Sequence, residues 1–453
     1  MTKSLGFWRT WALVVGTMIG SGIFLLPAVL APYGSTSLWG WLVAGSGTLF
    51  ISLTLGALAR RIPRIGGPYA YAHAAFGDLP AFLIAWGYWV SLWAGVAAIA
   101  VAFSGYLSIF VPLLKENSNV GAIAALAAVW LFTGINAAGV GTAGTVQLVT
   151  TVLKLLPLFL IAAAGLYLGD VSAIPATNPD AQPLPLLVAT VAMLTMWAYV
   201  GMEAGTIPAD DIVSPEKTIP RALVIGTLTA TAVYVLATVG VMALVPATEL
   251  AQSSSPFADA AARLFGGLGA KLVGVGAIVS ILGALNSNIL LSGQMPRAAA
   301  LDGLFPRRLQ GLNAAGAPVS ALVVSSCLTS ALIVMNYSRG LVAAFTLMIL
   351  LSTLTTLVPY ATSAAAYLAL QNWRTPGPEL VRRGPVVLAV VAFLFSLFAI
   401  IGSGLEVVGY GTILLIAGLP VYFYVTRRSP MPRAECTRNA RGPVATPGDE
   451  SAP

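Results

Sequence analysis

Apolar stretches long enough to cross a lipid bilayer as helices recur from one end of this 453-residue chain to the other, and they restrict its fold more than any other feature. A helix of about 20 apolar residues crosses the roughly 30 Å hydrocarbon layer, where no water is present to pair with an open backbone. Only 9% of the residues are charged and 58% are hydrophobic, whereas a soluble domain carries roughly a quarter charged residues. The chain is therefore predicted to be an all-α polytopic membrane protein. A β-barrel does not fit, because barrel strands alternate polar and apolar over about ten residues and these runs are continuously apolar.

A hydropathy window of about 20 residues places twelve spans, at roughly 10–31, 38–59, 80–112, 120–138, 145–168, 186–207, 220–245, 266–293, 318–336, 341–370, 385–402 and 407–426. Residues 1–428 then form a single transmembrane domain with no soluble domain left over. Residues 429–453 are rich in Pro, Arg and Gly and are expected to be a disordered cytoplasmic tail. The first apolar run is too long for a removable signal peptide and continues into a spanning pattern, so it is expected to stay in the mature protein.

Loops rich in Lys and Arg stay on the cytoplasmic side. With the N-terminus inside, eighteen of the 23 basic residues fall on that side, while Lys115, Arg263, Lys271 and Arg339 fall outside and Lys154 lies within a span. Both termini are thus predicted to be cytoplasmic. In a soluble protein a net charge of +7 would suggest nucleic acid; here the basic residues are spread over short loops beside spans, so the partner they fit is the lipid bilayer.

Cys327 falls in a span and Cys436 in the tail, so neither a disulfide nor a metal site is expected, and no cofactor motif is present. The single histidine, His73, is placed in a cytoplasmic loop. An enzyme would need a cluster of nucleophile, base or metal ligands, which the spacing does not provide. A channel would more often show a pore motif or a charged ring.

Gly16-Thr17-Met18-Ile19-Gly20-Ser21-Gly22 lies in the middle of the first span. Each glycine weakens a helix by about 1 kcal/mol relative to alanine, so a break is expected there. Gly201 and Gly205 flank Glu203 at the corresponding place of the sixth span, five spans later. Matched interruptions point to an inverted repeat, and unwound backbone at membrane depth is tolerated where it lines a cavity. The N-terminal end of a helix at such a break attracts a carboxylate, and unwound carbonyls attract an ammonium. Together these groups suit an α-amino acid or its amine.

Gly20-Ser21-Gly22-Ile23-Phe24-Leu25-Leu26-Pro27-Ala28 resembles the first-helix signature of bacterial basic amino acid and polyamine antiporters, within the amino acid-polyamine-organocation superfamily. Gly66-Gly67-Pro68-Tyr69-Ala70-Tyr71-Ala72, the stretch Trp197 to Glu203, Ile219-Pro220-Arg221, Gly293 to Ala299, Asp302-Gly303-Leu304-Phe305-Pro306 and Thr356-Leu357-Val358-Pro359-Tyr360 agree in order. The resemblance covers the chain to about Arg428, and among these antiporters the arginine/agmatine type is nearest in look.

That resemblance implies a LeuT-like fold in the bacterial inner membrane. Two inverted five-helix repeats, about 10–168 and 186–370, are followed by two extra helices, about 385–426, with substrate held at broken helices 1 and 6. It implies a homodimer, and amino acid or amine transport by alternating access. It also implies substrate contacts at Thr17, Ser21, Gly22, Ile23, Trp197, Asn288 and Ser352, with Trp197 closing over the substrate. Lys154, Glu203, Tyr88 and Tyr360 take gating or proton-coupling roles. Thr17, Val96 and Asn288 replace the Asn, Asn and Trp of the arginine/agmatine antiporters, which removes guanidinium contacts and argues against arginine as the main substrate. Lys154 resembles the fifth-helix lysine of sodium-independent relatives, whose ammonium would stand where sodium-coupled relatives bind the ion and could exchange a proton during the cycle. Exchange of an amino acid for an amine and proton-coupled, sodium-independent symport of neutral amino acids both remain open at this point.

Overall fold

The computed structural model describes residues 6–62, 67–138, 144–206, 212–336, 340–370 and 383–428; the tail expected to be disordered, with Cys436, lies outside the described residues. The described residues form seventeen α-helical segments. In order they are α1 Phe7–Met18, α2 Ser21–Leu30, α3 Ser37–Arg61, α4 Pro68–Phe76, α5 Asp78–Leu107, α6 Leu113–Glu116, α7 Ser118–Ala137, α8 Gly144–Leu168 and α9 Leu184–Met196. There follow α10 Pro215–Leu244, α11 Ala247–Leu250, α12 Pro256–Leu301, α13 Val319–Asn336, α14 Leu341–Ala369, α15 Arg383–Gly402, α16 Leu405–Ile416 and α17 Leu419–Arg428.

Among the described residues eight helical segments are long and apolar enough to cross a membrane, and the bent pair α1 and α2, turned by 40°, makes a ninth. Three further expected spans correspond to shorter apolar helices: Lys154–Leu168, Leu184–Tyr199 and Val386–Gly402. The protein is thus an all-helical polytopic membrane protein. The expected eighth span, 266–293, starts where α12 is divided: Gly266 takes a φ of 67° and a ψ of −164°, outside the helical region, and separates the short helical stretch that begins at Pro256 from the span that follows. A hydropathy window ends at that point because the turn before it carries Asp259 and Arg263. His73 lies on α4 rather than in a loop, where its Nε2 pairs with Asp78 Oδ1 at 2.9 Å.

α5 is the most enclosed of the long helices, with 89% of its apolar window buried. Small residues allow that enclosure: Ala81, Ala85, Ala94, Ala97, Ala98 and Ala100 bury their single methyl groups completely. Close approach of backbones at small residues is how membrane helices associate where no hydrophobic gain separates helix from lipid. α5 packs on α12 and α14, and α1 packs on α8 and α10. The two breaks described below lie between these groups.

The candidate substrate site

The first helix is interrupted where the glycine run predicts. α1 ends at Met18; Ile19 (φ −80°, ψ 80°) and Gly20 (φ −113°, ψ −141°) leave the helical path, and α2 restarts at Ser21. The C-terminal carbonyls of α1 and the first N–H groups of α2, those of Ser21, Gly22 and Ile23, then have no acceptor or donor within their own helix. Gly20 supplies no side-chain cap to α2. The Ser21 hydroxyl is buried without a hydrogen-bond partner.

The sixth span breaks as well. α9 ends at Met196 and tightens into a 3-10 turn over Trp197–Tyr199, then Val200 is extended and Gly201 takes a φ of 103°. The Thr17 hydroxyl lies 2.9 Å from the carbonyl of Gly201, as well as near its own-turn carbonyls of Leu13 and Val14, and so joins the two breaks. A Cβ on Gly201 would stand 3.3 Å from that of Thr17. Gly201→Ala therefore meets both a left-handed backbone, costing about 1–2 kcal/mol for an L-residue, and a tight contact. It is expected to lower the melting temperature of the purified protein and to slow transport about tenfold, as read by thermal denaturation and liposome uptake.

The breaks enclose a cavity of about 70 Å³. Its wall includes Thr17, Ser21 and Gly22 from the first break, Trp197, Gly201 and Glu203 from the second, Tyr88, Ser91, Leu92 and Ile99 from α5, Lys154 from α8, Ser287, Asn288 and Leu291 from α12, and Ser352 from α14. The Trp197 indole lies across it. A Cβ on Gly22 would be 3.0 Å from Trp197 Cδ1, and one on Gly95 would be 2.9 Å from Cη2 at the other end of the ring. Glycine at these two positions leaves room for the two ends of the indole between α2 and α5.

Glu203 is 2% exposed and accepts three hydrogen bonds. Tyr88 donates to Oε1 at 2.9 Å, Tyr360 to Oε2 at 2.5 Å, and the backbone N–H of Gly201 to Oε2 at 3.1 Å. The carboxylate thus ties the second break to α5 and α14, and three donors offset its removal from water. Lys154 is 7% exposed, and its Nζ lies 3.5 Å from the Gly16 carbonyl at the end of α1. A Cβ on Gly283 would be 4.0 Å from that nitrogen. A cation at a helix C-terminal end meets the negative pole of the helix dipole and carbonyls with no helical partner.

Against this geometry, comparison with known proteins is decisive: the amino acid permease family profile matches residues 5–419. The chain belongs to the amino acid permease family. An arginine/ornithine antiporter of Pseudomonas aeruginosa is 33% identical to the permease over 87% of this chain and 85% of its own length. A cadaverine/lysine antiporter of Escherichia coli is 30% identical over 91% of this chain and 93% of its own. The putrescine transporter PotE of Escherichia coli is 27% identical over 94% and 97%. The family is one of transporters, not enzymes.

The permease brings most of the residues expected from sequence to one place. Thr17, Ser21, Gly22, Trp197, Asn288, Ser352, Lys154, Glu203 and Tyr88 all line the cavity. Ile23 and Tyr360 stand behind the wall, both buried, Tyr360 through its bond to Glu203. Val96 is also buried but outside the wall, to which α5 contributes Leu92 and Ile99 on either side of it. Asn288 donates from Nδ2 to its own helix at Ala284 O, 2.9 Å away. Ser352 donates to the carbonyl of Ser91 at 2.7 Å, and the Ser91 hydroxyl makes a short bond to Thr356.

Sequence reasoning missed Ser91 and the tyrosine pair Tyr199 and Tyr234 behind Trp197. Ser91 follows Tyr88 by three residues, so helical spacing from Tyr88 would have placed it on the same face. Tyr199 stands within the sixth-span motif, but nothing in the order of residues links it to Tyr234, 35 positions on.

Proposed function

We propose that the permease exchanges a basic amino acid for an amine or a second basic amino acid across the bacterial inner membrane by alternating access, with the substrate held between the two breaks. The observation that carries this reading is the pair of interrupted helices facing one cavity, with the Ser21 hydroxyl and the first amides of α2 left for a carboxylate. The near full-length similarity to antiporters of arginine and ornithine and of cadaverine and lysine supports exchange and points to basic substrates. Residues 1–428 act as one transport unit of twelve crossings, built as two inverted five-helix repeats and two extra helices, with both termini cytoplasmic.

In this reading the substrate carboxylate rests on the amides of Ser21, Gly22 and Ile23. Trp197 closes over it, and Glu203 with Tyr88 and Tyr360 couples that closure to α5 and α14. Leu92, Ile99 and Leu291 offer aliphatic wall to the carbon chain of the substrate, and Asn288, Ser91 and Ser352 offer oxygen atoms to a distal ammonium. A guanidinium would find no stacking ring at Asn288, so ornithine, lysine and their amines fit better than arginine and agmatine.

Lys154 favours keeping a second reading, proton-coupled and sodium-independent uptake of neutral amino acids, because a fixed ammonium already stands at the end of the broken first helix. One set of uptake measurements separates the two. Purified permease in liposomes is given labelled ornithine, lysine, arginine, cadaverine, putrescine, alanine or leucine. Exchange predicts uptake of basic compounds that rises at least about tenfold when an unlabelled basic partner is inside. Uptake of neutral amino acids driven by an imposed proton gradient, with empty liposomes sufficing, contradicts it.

A further inference from the structure

We propose that the Tyr234 hydroxyl is the latch of the closed gate: by holding the Ala198 carbonyl it fixes the segment that carries Trp197 across the cavity. In a continuous helix the carbonyl of Ala198 would accept from the N–H of Met202, four residues on. Here Val200 is extended (ψ 135°) and Gly201 has a φ of 103°, so the chain leaves the helical path between the two and that pairing is broken. At membrane depth no bulk water takes its place. Tyr234 does, reaching from α10 to donate its hydroxyl hydrogen to Ala198 O at 2.8 Å in a fully buried contact.

The hydroxyl is held in position by its ring. Tyr234 is completely buried, with its ring centre 5.0 Å from that of Trp41 on α3 and 5.4 Å, edge-on, from that of Tyr199. Tyr199 is itself anchored, its hydroxyl 3.0 Å from Thr231 Oγ1 on α10 and 3.2 Å from Trp41 O. Ala198 therefore stands between an anchored tyrosine and the gating indole. Its Cα is 3.5 Å from the place a Cβ on Gly22 would occupy, so a shift of Ala198 moves the indole against the start of α2. Ring packing and latch separate chemically: phenylalanine at position 234 keeps the first and removes the second. Tyr234 is a positioning residue that acts through Trp197, and the latch rests on the exchange reading only for what the gate closes over.

Tyr234→Phe is expected to weaken binding of the transported basic amino acid about tenfold, as fits the loss of one buried hydrogen bond, while the maximal exchange rate stays within about twofold. In a Trp197→Leu background, where no indole is left to position, the same substitution should change binding by less than about twofold, the signature of coupled sites. Hydrogen exchange followed by mass spectrometry should show faster exchange in peptides covering residues 194–206, with peptides of α14 unchanged. A full tenfold effect that persists in the Trp197→Leu background, native affinity in Tyr234→Phe, or native exchange over 194–206 would each overturn the latch. If the native protein exchanges no basic amino acid or amine, the proposed function fails, and the hydrogen-exchange comparison, which needs no substrate, still decides the latch.

Discussion

Gly22→Leu is expected to abolish substrate binding and exchange, by at least about a hundredfold, while the protein still inserts in the membrane and folds. The Trp197 indole lies where the new side chain would start, with Cδ1 at 3.0 Å and Nε1 at 3.1 Å from the position of its first carbon. Overpacking of this kind costs about 1–3 kcal/mol before any ligand is considered. The remaining atoms of leucine would lie over the first turn of α2, covering the amides on which the carboxylate is proposed to rest. Gly22→Ala should be graded, because the indole can yield by a few tenths of an ångström, and a loss of about tenfold is expected. Binding to the purified variants by calorimetry, with size-exclusion profiles as the check on folding, reads both. Native affinity in Gly22→Leu would remove the first break from the site.

The second large effect is expected at Lys154. A positive charge near the middle of a span costs at least about 2.5 kcal/mol when nothing compensates it. Its setting, between the Gly16 carbonyl and α12 and on the wall of the cavity, supports a functional charge over a side chain reaching out to the lipid headgroups. Lys154→Ala is therefore expected to lower exchange at least about tenfold in liposome uptake, while the size-exclusion profile of the purified variant stays native. On the proposed role, the native protein should transport equally well in sodium-free medium, with the Lys154 ammonium beside the Gly16 carbonyl serving in place of a bound cation. A near-native rate in Lys154→Ala, or strict sodium dependence of the native protein, would contradict this role.

Much of the molecule could be read from the chain because the membrane makes the code simple. Long apolar runs must be helices, and Gly16, Gly20 and Gly22 in one short stretch mark a place where a helix stops. The break at Met18–Ser21 falls within that run, and Gly201 takes the left-handed conformation at the second. The less legible parts depend on contacts between distant helices. Tyr88 and Tyr360 were expected in gating or proton coupling, but the hydrogen bonds by which both hold Glu203 arise only when α5 and α14 pack on the second break. Val96, which stands where the arginine/agmatine antiporters have Asn, is buried and absent from the cavity wall, to which its helix gives Leu92 and Ile99, a phase that only the packed helix reveals. The start of the eighth span at residue 266 was legible, since Gly266 leaves the helical path there and separates the stretch from Pro256 onward from the span itself.

A structure of the permease loaded with its transported amino acid tests most directly whether substrate sits between the two breaks. Density for the ligand is expected beneath Trp197, with its carboxylate within hydrogen-bonding distance of the amides of Ser21, Gly22 and Ile23 and its carbon chain along Leu92 and Ile99. Ligand bound elsewhere, with the cavity beneath Trp197 unchanged, would contradict it.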